Sequence, residues 1–224
     1  MLNNKTLSPL RGPYKIVLAE PCPVTRLGLR QAISLMPLHI EQLEDTGDLA
    51  EIPELITQHR PDILIVELGD DNDSVLEVLS TISDCIHFWQ PKIPIVVCTT
   101  IRNAPFFRLL RAIDIRSICL KQESIETLAH CIEQVLHGGY EFSPMVNQYL
   151  AETEGYYSLL TAKELEVLVH LFSGKNVTEV AKLMNRDIRT ISTHKRNAMR
   201  KIGFKNDSEM FSNSNWIGLK QFNI

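Results

Sequence analysis

Several polar side chains follow short apolar runs, at points where buried strands are predicted to end. They are Glu20, Glu67, Thr100 or its neighbour Thr99, and Lys121. The carboxyl ends of parallel strands meet at one edge of a sheet, so we expect these side chains to converge. Carboxylates bind hard cations, and an ammonium group binds the oxygens of a phosphoryl group. The sequence therefore predicts one polar pocket built from two acids, a hydroxyl and a lysine.

A second set of polar side chains lies on one predicted helix, which runs from Asp187 to about Ile202. Its apolar residues are predicted to share one face: Ile188, Ile191, Ala198 and Ile202. The opposite face carries Arg189, Ser192, Thr193, Arg196 and Arg200. Such side chains can read base edges in the major groove of DNA, and Arg196 can form two hydrogen bonds with guanine. The flanking basic residues suit phosphates: Lys182, Lys195, Lys201 and Lys205.

The elements that position the pocket alternate between strand and helix. Strands are predicted at 16–19, 39–43, 63–68, 93–98 and 115–120. Helices are predicted at 24–36, 49–59, 75–86, 104–113 and 125–136. Apolar strands separated by helices of about ten residues are typical of a parallel sheet that is covered on both faces. We therefore predict an α/β unit with a five-stranded parallel sheet.

The C-terminal region has the pattern of a small all-α helix-turn-helix unit. Three helix starts and the turns between them are marked by Thr161 with Glu164, Gly174, Asn176 with Glu179, Asn185, Asp187 and Gly203. Two short helices joined by a four-residue turn and followed by a longer helix form a helix-turn-helix. The polar segment before this unit is predicted to be a linker with a short helix from Pro144 to Glu152.

Charge divides the chain in the same way. Residues 1–154 carry 12 basic and 21 acidic side chains, a net charge of −9, whereas residues 155–224 carry 11 and 6, a net charge of +5. The acidic part favours a regulatory or partner-binding role, and the basic part favours nucleic acid as a ligand. The alternative explanation of the net charge of +5 is a basic surface that is only solvated and binds no nucleic acid.

Composition excludes several classes of protein. The chain is 44% hydrophobic and 22% charged, so it is expected to fold rather than remain disordered. No apolar run is long enough for a membrane helix, and we expect a cytoplasmic protein. The five scattered cysteines form no C-x-x-C pair and are expected to be buried hydrophobic residues.

The segment LTAKELEVLVHLFSGKNVTEVAKLMNRDIRTISTHKRNAMRKIGFKND resembles the LuxR-type helix-turn-helix of NarL/FixJ response regulators. The first 140 residues resemble their receiver domain. The resemblance implies a receiver-like domain at 14–137, a linker at 138–157 and a DNA-binding domain at 158–224. It also implies that Ser192, Thr193 and Arg196 approach bases, that Thr190 and Lys201 contact the DNA backbone, and that a dimerising helix follows Asp207.

The receiver pocket departs from the pattern of that family at two positions. A phosphorylated receiver has two adjacent acids after its first strand and an Asp acceptor after its third, which together hold Mg²⁺. This chain has Glu20-Pro21 and Glu67 instead. The longer Glu moves the carboxylate by about 1.5 Å, enough to disturb in-line phosphoryl transfer. We expect no bound metal or cofactor, and an ion pair between Glu67 and Lys121 that holds the pocket in one state, although Glu67 could also be only a solvated acid.

The sequence thus predicts a DNA-binding transcription regulator rather than an enzyme. Its receiver is expected to act without phosphorylation, as a module that forms a homodimer or a heterodimer with a related response regulator. A conventional phosphorylation-controlled regulator is the main alternative. A protein that only titrates a partner is a third possibility, against which the basic stripe argues. No metal-ligand spacing and no G-x-S-x-G nucleophile motif occurs.

Overall fold

The computed structural model describes residues 12–68, 93–151 and 158–212. Its strands are β1 (Tyr14–Ala19), β2 (Ile40–Thr46), β3 (Ile63–Val66), β4 (Ile95–Thr99), β5 (Ser117–Leu120) and β6 (Glu141–Phe142). They form one parallel sheet in the order β2-β1-β3-β4-β5-β6. The predicted α/β class is confirmed, and the five predicted strands are present with a sixth, short strand at the edge.

Helices cover both faces of the sheet and build the C-terminal unit. They are α1 (Pro23–Ser34), α2 (Ile52–His59), α3 (Ala104–Ala112), α4 (Ile125–Leu136), α5 (Pro144–Ala151), α6 (Ala162–Phe172), α7 (Val177–Leu183), α8 (Ile188–Ile202) and α9 (Asp207–Ser212). The helix predicted at 75–86 lies outside the described residues. Within the ranges that the structure describes, no helix has both the length and the apolar character required to cross a membrane.

Alternation along the strands sorts the core into two layers. In β1, Ile16 and Leu18 face the side covered by α1 and α4, while Val17 and Ala19 face the side covered by α2 and α3. Successive side chains of a strand point to opposite faces, so a strand that is apolar throughout must be covered on both sides. This explains why the strand signals in the sequence were uninterrupted.

The segment predicted to be a linker contributes two further elements to the receiver-like unit. Strand β6 pairs with β5, and α5 buries Val146 and Leu150 against it. The ring of Tyr149 meets that of Phe107 edge-on, with their centroids 5.6 Å apart. The short helix predicted from Pro144 to Glu152 is thus present as α5, whereas β6 and the packing of this segment on the sheet were not predicted.

The helix-turn-helix forms where the capping residues predicted it. Thr161 with Glu164 and Asn176 with Glu179 form reciprocal capping boxes at the starts of α6 and α7, and Asp187 caps α8. Gly174, Asn185 and Gly203 adopt positive φ angles of 87°, 51° and 90° at the predicted turns. Local chemistry therefore sets the boundaries of these helices.

The two units are joined by one continuous apolar cluster. It extends from Phe106 and Phe107 on α3 to Phe172 on α6 and Ile202 on α8. The backbone N–H of Leu160 donates to the carbonyl of Ala112 over 2.7 Å, which fixes the entry into α6 at the end of α3. The C-terminal unit consequently packs on the receiver-like unit through α3.

Candidate functional site

The receiver pocket lies at the carboxyl ends of β1, β3 and β5, where one lysine contacts two carboxylates. Lys121 Nζ lies 2.6 Å from Glu20 Oε2 and also forms an ion pair with Glu67. The backbone brings them together, because Glu67 N–H donates to Ala19 O and Lys121 N–H donates to Thr99 O. The expected Glu67–Lys121 pair is present, and Glu20 completes a three-residue cluster.

Burial determines the electrostatics of this cluster. Glu20 and Glu67 are 1% and 3% exposed, whereas the Lys121 side chain keeps 17% of its surface in contact with solvent. Loss of hydration raises the pKa of Glu67, and hydrogen bonds and charge attraction from Lys121 only partly oppose this. Burial lowers the pKa of Lys121, but its hydrogen bonds with Glu20 and Glu67 raise it more, and the net direction is upward. Two acids thus share one firmly protonated lysine.

The hydroxyl of the pocket belongs to Thr99. Thr99 is fully buried, and its Oγ1 donates to Leu68 O over 2.8 Å. Thr100 is exposed, so the assignment of the pocket hydroxyl to Thr100 is wrong. The reason is strand register, because neighbouring residues at the end of β4 face different surroundings.

Helix α8 presents the predicted polar stripe to solvent. Ile191, Ala198 and Ile202 are completely buried against the rest of the C-terminal unit. The exposed residues on the other side are Arg189, Thr190, Thr193, Arg196 and Arg200, with Ser192 half-buried at the margin. Thr193 Oγ1 donates to Arg189 O over 2.9 Å, which fixes its hydroxyl against the helix. The arrangement leaves a polar, basic surface about three turns long.

The prediction that Ile188 belongs to the buried face of this helix is wrong. Its side chain is 49% exposed. Helical periodicity alone placed it beside Ile191, but Ile188 is the first residue of α8 and lies where the helix begins. Periodicity gives the angle around a helix axis and not the distance from the core.

Two of the lysines predicted to bind DNA make contacts within the chain. Lys201 Nζ lies 2.7 Å from Glu164 Oε2 and 2.8 Å from Leu159 O. Lys195 Nζ lies 2.5 Å from Asp207 Oδ2. Lys182 and Lys205 are exposed, in keeping with contacts to phosphates. These two internal pairs could not be predicted from local sequence, because each joins different helices.

The structural role of Lys201 is evident from its partner. Glu164 is 4% exposed and also accepts a hydrogen bond from the N–H of Thr161. Burial raises the pKa of Glu164, but hydrogen bonds from Lys201 and Thr161 outweigh it and lower the pKa overall. Lys201 therefore neutralises a buried acid that caps α6.

A family model described as "Bacterial regulatory proteins, luxR family" matches residues 158–212. The transcriptional regulatory protein RcsB of Salmonella typhi is 31% identical over 200 residues, which cover 86% of this chain and 89% of RcsB. The chain belongs to the NarL/FixJ family of response regulators. The nitrate/nitrite response regulator protein NarP of Escherichia coli K12 is 28% identical over 199 residues, covering 86% of this chain and 90% of NarP.

Solved structures support the same conclusion for this NarL/FixJ response regulator. The structure of an RcsB–DNA complex is similar with a TM-score of 0.58 and 25% sequence identity, and the match covers 93% of this chain and 100% of that one. The resemblance of both units to this family is thereby confirmed. The chain is a DNA-binding transcriptional regulator of the RcsB and NarP type.

The receiver of this family member does not fit the magnesium ion that phosphorylated receivers hold. Such a site needs several carboxylate oxygens, and here Pro21 replaces one of the adjacent acids. The remaining two carboxylates, those of Glu20 and Glu67, both contact Lys121. Within the described ranges, no group of three or more His, Cys, Asp or Glu side chains is arranged to hold a metal.

Proposed function

We propose that this regulator acts without phosphorylation and that its receiver serves as a dimerisation module. The supporting observation is the contact of Lys121 with both Glu20 and Glu67 in a buried pocket. In a phosphorylated receiver an incoming phosphoryl group draws a lysine and a hydroxyl together. Here the Glu67 carboxylate supplies a negative charge to Lys121 permanently, with Thr99 beside it.

The proposed partner is a second copy of the chain or a related response regulator such as RcsB. One helix-turn-helix contacts little DNA, and pairing two of them on neighbouring half-sites raises affinity. The acidic receiver half, with a net charge of −9, is repelled by DNA phosphates and remains available for protein contact. The protein would act in the cytoplasm, where it meets DNA.

We propose two classes of DNA contact. Base edges are read by the exposed face of α8: Arg189, Ser192, Thr193, Arg196 and Arg200. Phosphates are contacted by Thr190, Lys182 and Lys205, and by Lys195 where a phosphate displaces Asp207 from it. The charge of +5 on residues 155–224 supplies the electrostatic attraction.

One experiment tests phosphorylation independence. The purified chain is incubated with a small phosphodonor and Mg²⁺, and its intact mass is measured beside RcsB as a positive control. We expect RcsB to gain a phosphoryl group and this chain to keep its mass. A gain of one phosphoryl group would instead support the conventional phosphorylation-controlled regulator.

A second experiment tests the partner. Light scattering of the chain alone and of its mixture with RcsB, without phosphodonor, reports the homodimer and the heterodimer. We expect one of the two dimers to form at micromolar concentration. Monomers in both samples would contradict the dimerisation role.

A further inference from the structure

An exposed apolar residue stands at the start of the DNA-facing helix. Ile188 is 49% exposed, whereas the other large apolar side chains of α8 (Ile191, Met199 and Ile202) are at most 8% exposed. Burying an isoleucine stabilises a fold, and Ile188 is only about half buried. Among the large apolar residues of α8, Ile188 thus remains available for contact with a ligand.

The surroundings of Ile188 are predominantly basic. It borders a shallow groove between α7 and α8 that is also lined by Lys182 and Arg186 and by one acid, Asp187, which accepts the N–H of Arg189. Arg189 follows it directly on α8. A protein partner with an apolar patch would have to bury these charges, whereas the phosphates of DNA would pair with them. The apolar side chain and its basic rim together suit DNA.

The position of Ile188 along the helix indicates which part of DNA it meets. The first residues of a recognition helix approach base edges in the major groove. Ser192, one turn further on, lies on the same side of α8 as Ile188, because residues four apart are neighbours on a helix surface. The apolar group that base edges offer in this groove is the C5 methyl of thymine.

We propose that Ile188 contacts the C5 methyl group of a thymine and thereby determines part of the sequence specificity. The β-branched side chain suits this role, because its first dihedral angle is restricted in a helix and little rotational freedom is lost on binding. Asp187, which caps α8 by accepting the N–H of Arg189 over 2.7 Å, holds this first turn in place. The inference rests on the DNA-binding function described above.

The test removes the methyl group from DNA and from the protein separately. A duplex that the full-length chain selects from a random-sequence library serves as the probe, and each thymine is replaced in turn by deoxyuridine, which keeps base pairing. We expect one replacement in each half-site to weaken binding of the wild-type chain about fourfold. Ile188→Ala should weaken binding to the unmodified duplex by at least the same factor and be insensitive to that replacement.

Two further variants sharpen the test. Ile188→Val removes one methyl group and should show a smaller loss at the same thymine. Leu183→Ala removes an exposed apolar side chain from α7, 57% exposed in the structure, and should respond to every deoxyuridine as the wild type does. The melting temperature of each variant is measured first, and we expect only a small change because each side chain is about half exposed.

The outcomes are distinct. The proposal is overturned if no deoxyuridine weakens wild-type binding, or if Ile188→Ala loses the same factor on thymine and uracil duplexes at every position. A wild-type chain that selects no sequence at all would instead contradict the DNA-binding function itself.

Discussion

The guanidinium group of Arg108 on α3 lies against Gly203, the residue that ends α8. A Cβ atom added at Gly203 would stand 2.8 Å from Arg108 Nη1. Arg108 is 9% exposed, and the carbonyl end of a helix attracts positive charge. Helix α3 therefore joins the receiver to α8, the helix proposed to read DNA. Helix α3 itself follows β4, the strand that carries Thr99.

Replacing Gly203 tests this joint. Gly203→Ala should destabilise the chain in two ways, through a positive φ of 90° that costs an alanine about 1 to 2 kcal/mol and through displacement of the buried Arg108. Gly174→Ala is the matched control, because its φ is 87° and a Cβ there would meet nothing within 4 Å. Thermal unfolding should show a larger loss of stability for Gly203→Ala than for Gly174→Ala. Adding Arg108→Ala to Gly203→Ala should reduce the difference between these two losses. Equal losses would show that the joint tolerates a methyl group.

Removing the lysine of the receiver pocket should be strongly destabilising. Lys121→Met leaves the buried carboxylates of Glu20 and Glu67 without a positive charge, and breaking a buried ion pair in this way costs about 3 to 5 kcal/mol. Denaturant unfolding at neutral pH measures the loss. Lys163→Met removes an exposed pair with Glu166 and should change stability by less than about 0.5 kcal/mol.

The same variant has a predicted pH dependence. Without Lys121 the buried Glu67 has a raised pKa in the folded state, so the folded chain binds a proton more readily than the unfolded one. The stability that this acid allows is fully present below its unfolded pKa of about 4.5 and is lost as pH rises through the folded pKa. The difference in unfolding free energy between wild type and Lys121→Met should therefore become smaller on acidification. Adding Glu67→Gln to Lys121→Met should make this difference smaller at neutral pH. A gap that stays constant from pH 7 to pH 4 would mean that the carboxylates are not its cause.

The charge of Glu67 should control activity rather than folding. Glu67→Gln keeps the shape of the side chain but removes the attraction for Lys121, and we expect it to lower reporter activity in cells without unfolding the protein. Glu67→Asp keeps the charge and should preserve much of the activity in cells that lack phosphodonors. Full activity of Glu67→Gln at equal protein level would make the receiver a passive scaffold.

The exposed face of α8 should determine specific DNA binding. Arg196→Ala should cost about 1 to 3 kcal/mol of specific binding and relax one position of the site, with the fold unchanged because the side chain is exposed. Ser192→Ala should have a smaller effect in the same direction. Binding is measured on specific and random duplexes at fixed salt, and an Arg196→Ala chain as tight as the wild type would place the reading face elsewhere.

Lys201 should act on stability. Lys201→Met leaves Glu164 buried and without its ammonium partner, and we expect a loss of about 1 to 3 kcal/mol at neutral pH. Because the pKa of Glu164 is lowered in the folded chain, its contribution is present above its unfolded pKa and is lost as pH falls through the folded pKa. The stability lost in Lys201→Met should thus become smaller at acid pH. Unfolding at several pH values measures this change. If Lys201→Met unfolds like the wild type but has a lower salt slope for DNA binding, the phosphate contact implied by the family resemblance is the better assignment.

The sequence by itself determined the α/β class and the helix ends of the C-terminal unit. Capping boxes, left-handed turn residues and apolar periodicity act between residues a few positions apart, so they can be recognised without knowledge of the fold. Thr161 with Glu164, Asn185 and Gly203 are found where these rules placed them. The convergence of Glu67 and Lys121 also followed, because parallel strands bring their carboxyl ends together.

Only the tertiary structure decided which surroundings each side chain faces and how deeply it is buried. Thr99 rather than Thr100 enters the pocket because β4 has a particular register in the sheet, and Lys201 turns inward because α6 places a buried Glu164 beside it, 37 residues away in the sequence. Ile188 remains exposed because the start of α8 lies beyond the reach of the core. These outcomes depend on contacts between distant elements, and burial and the pairing of charges are properties of those contacts rather than of the local sequence.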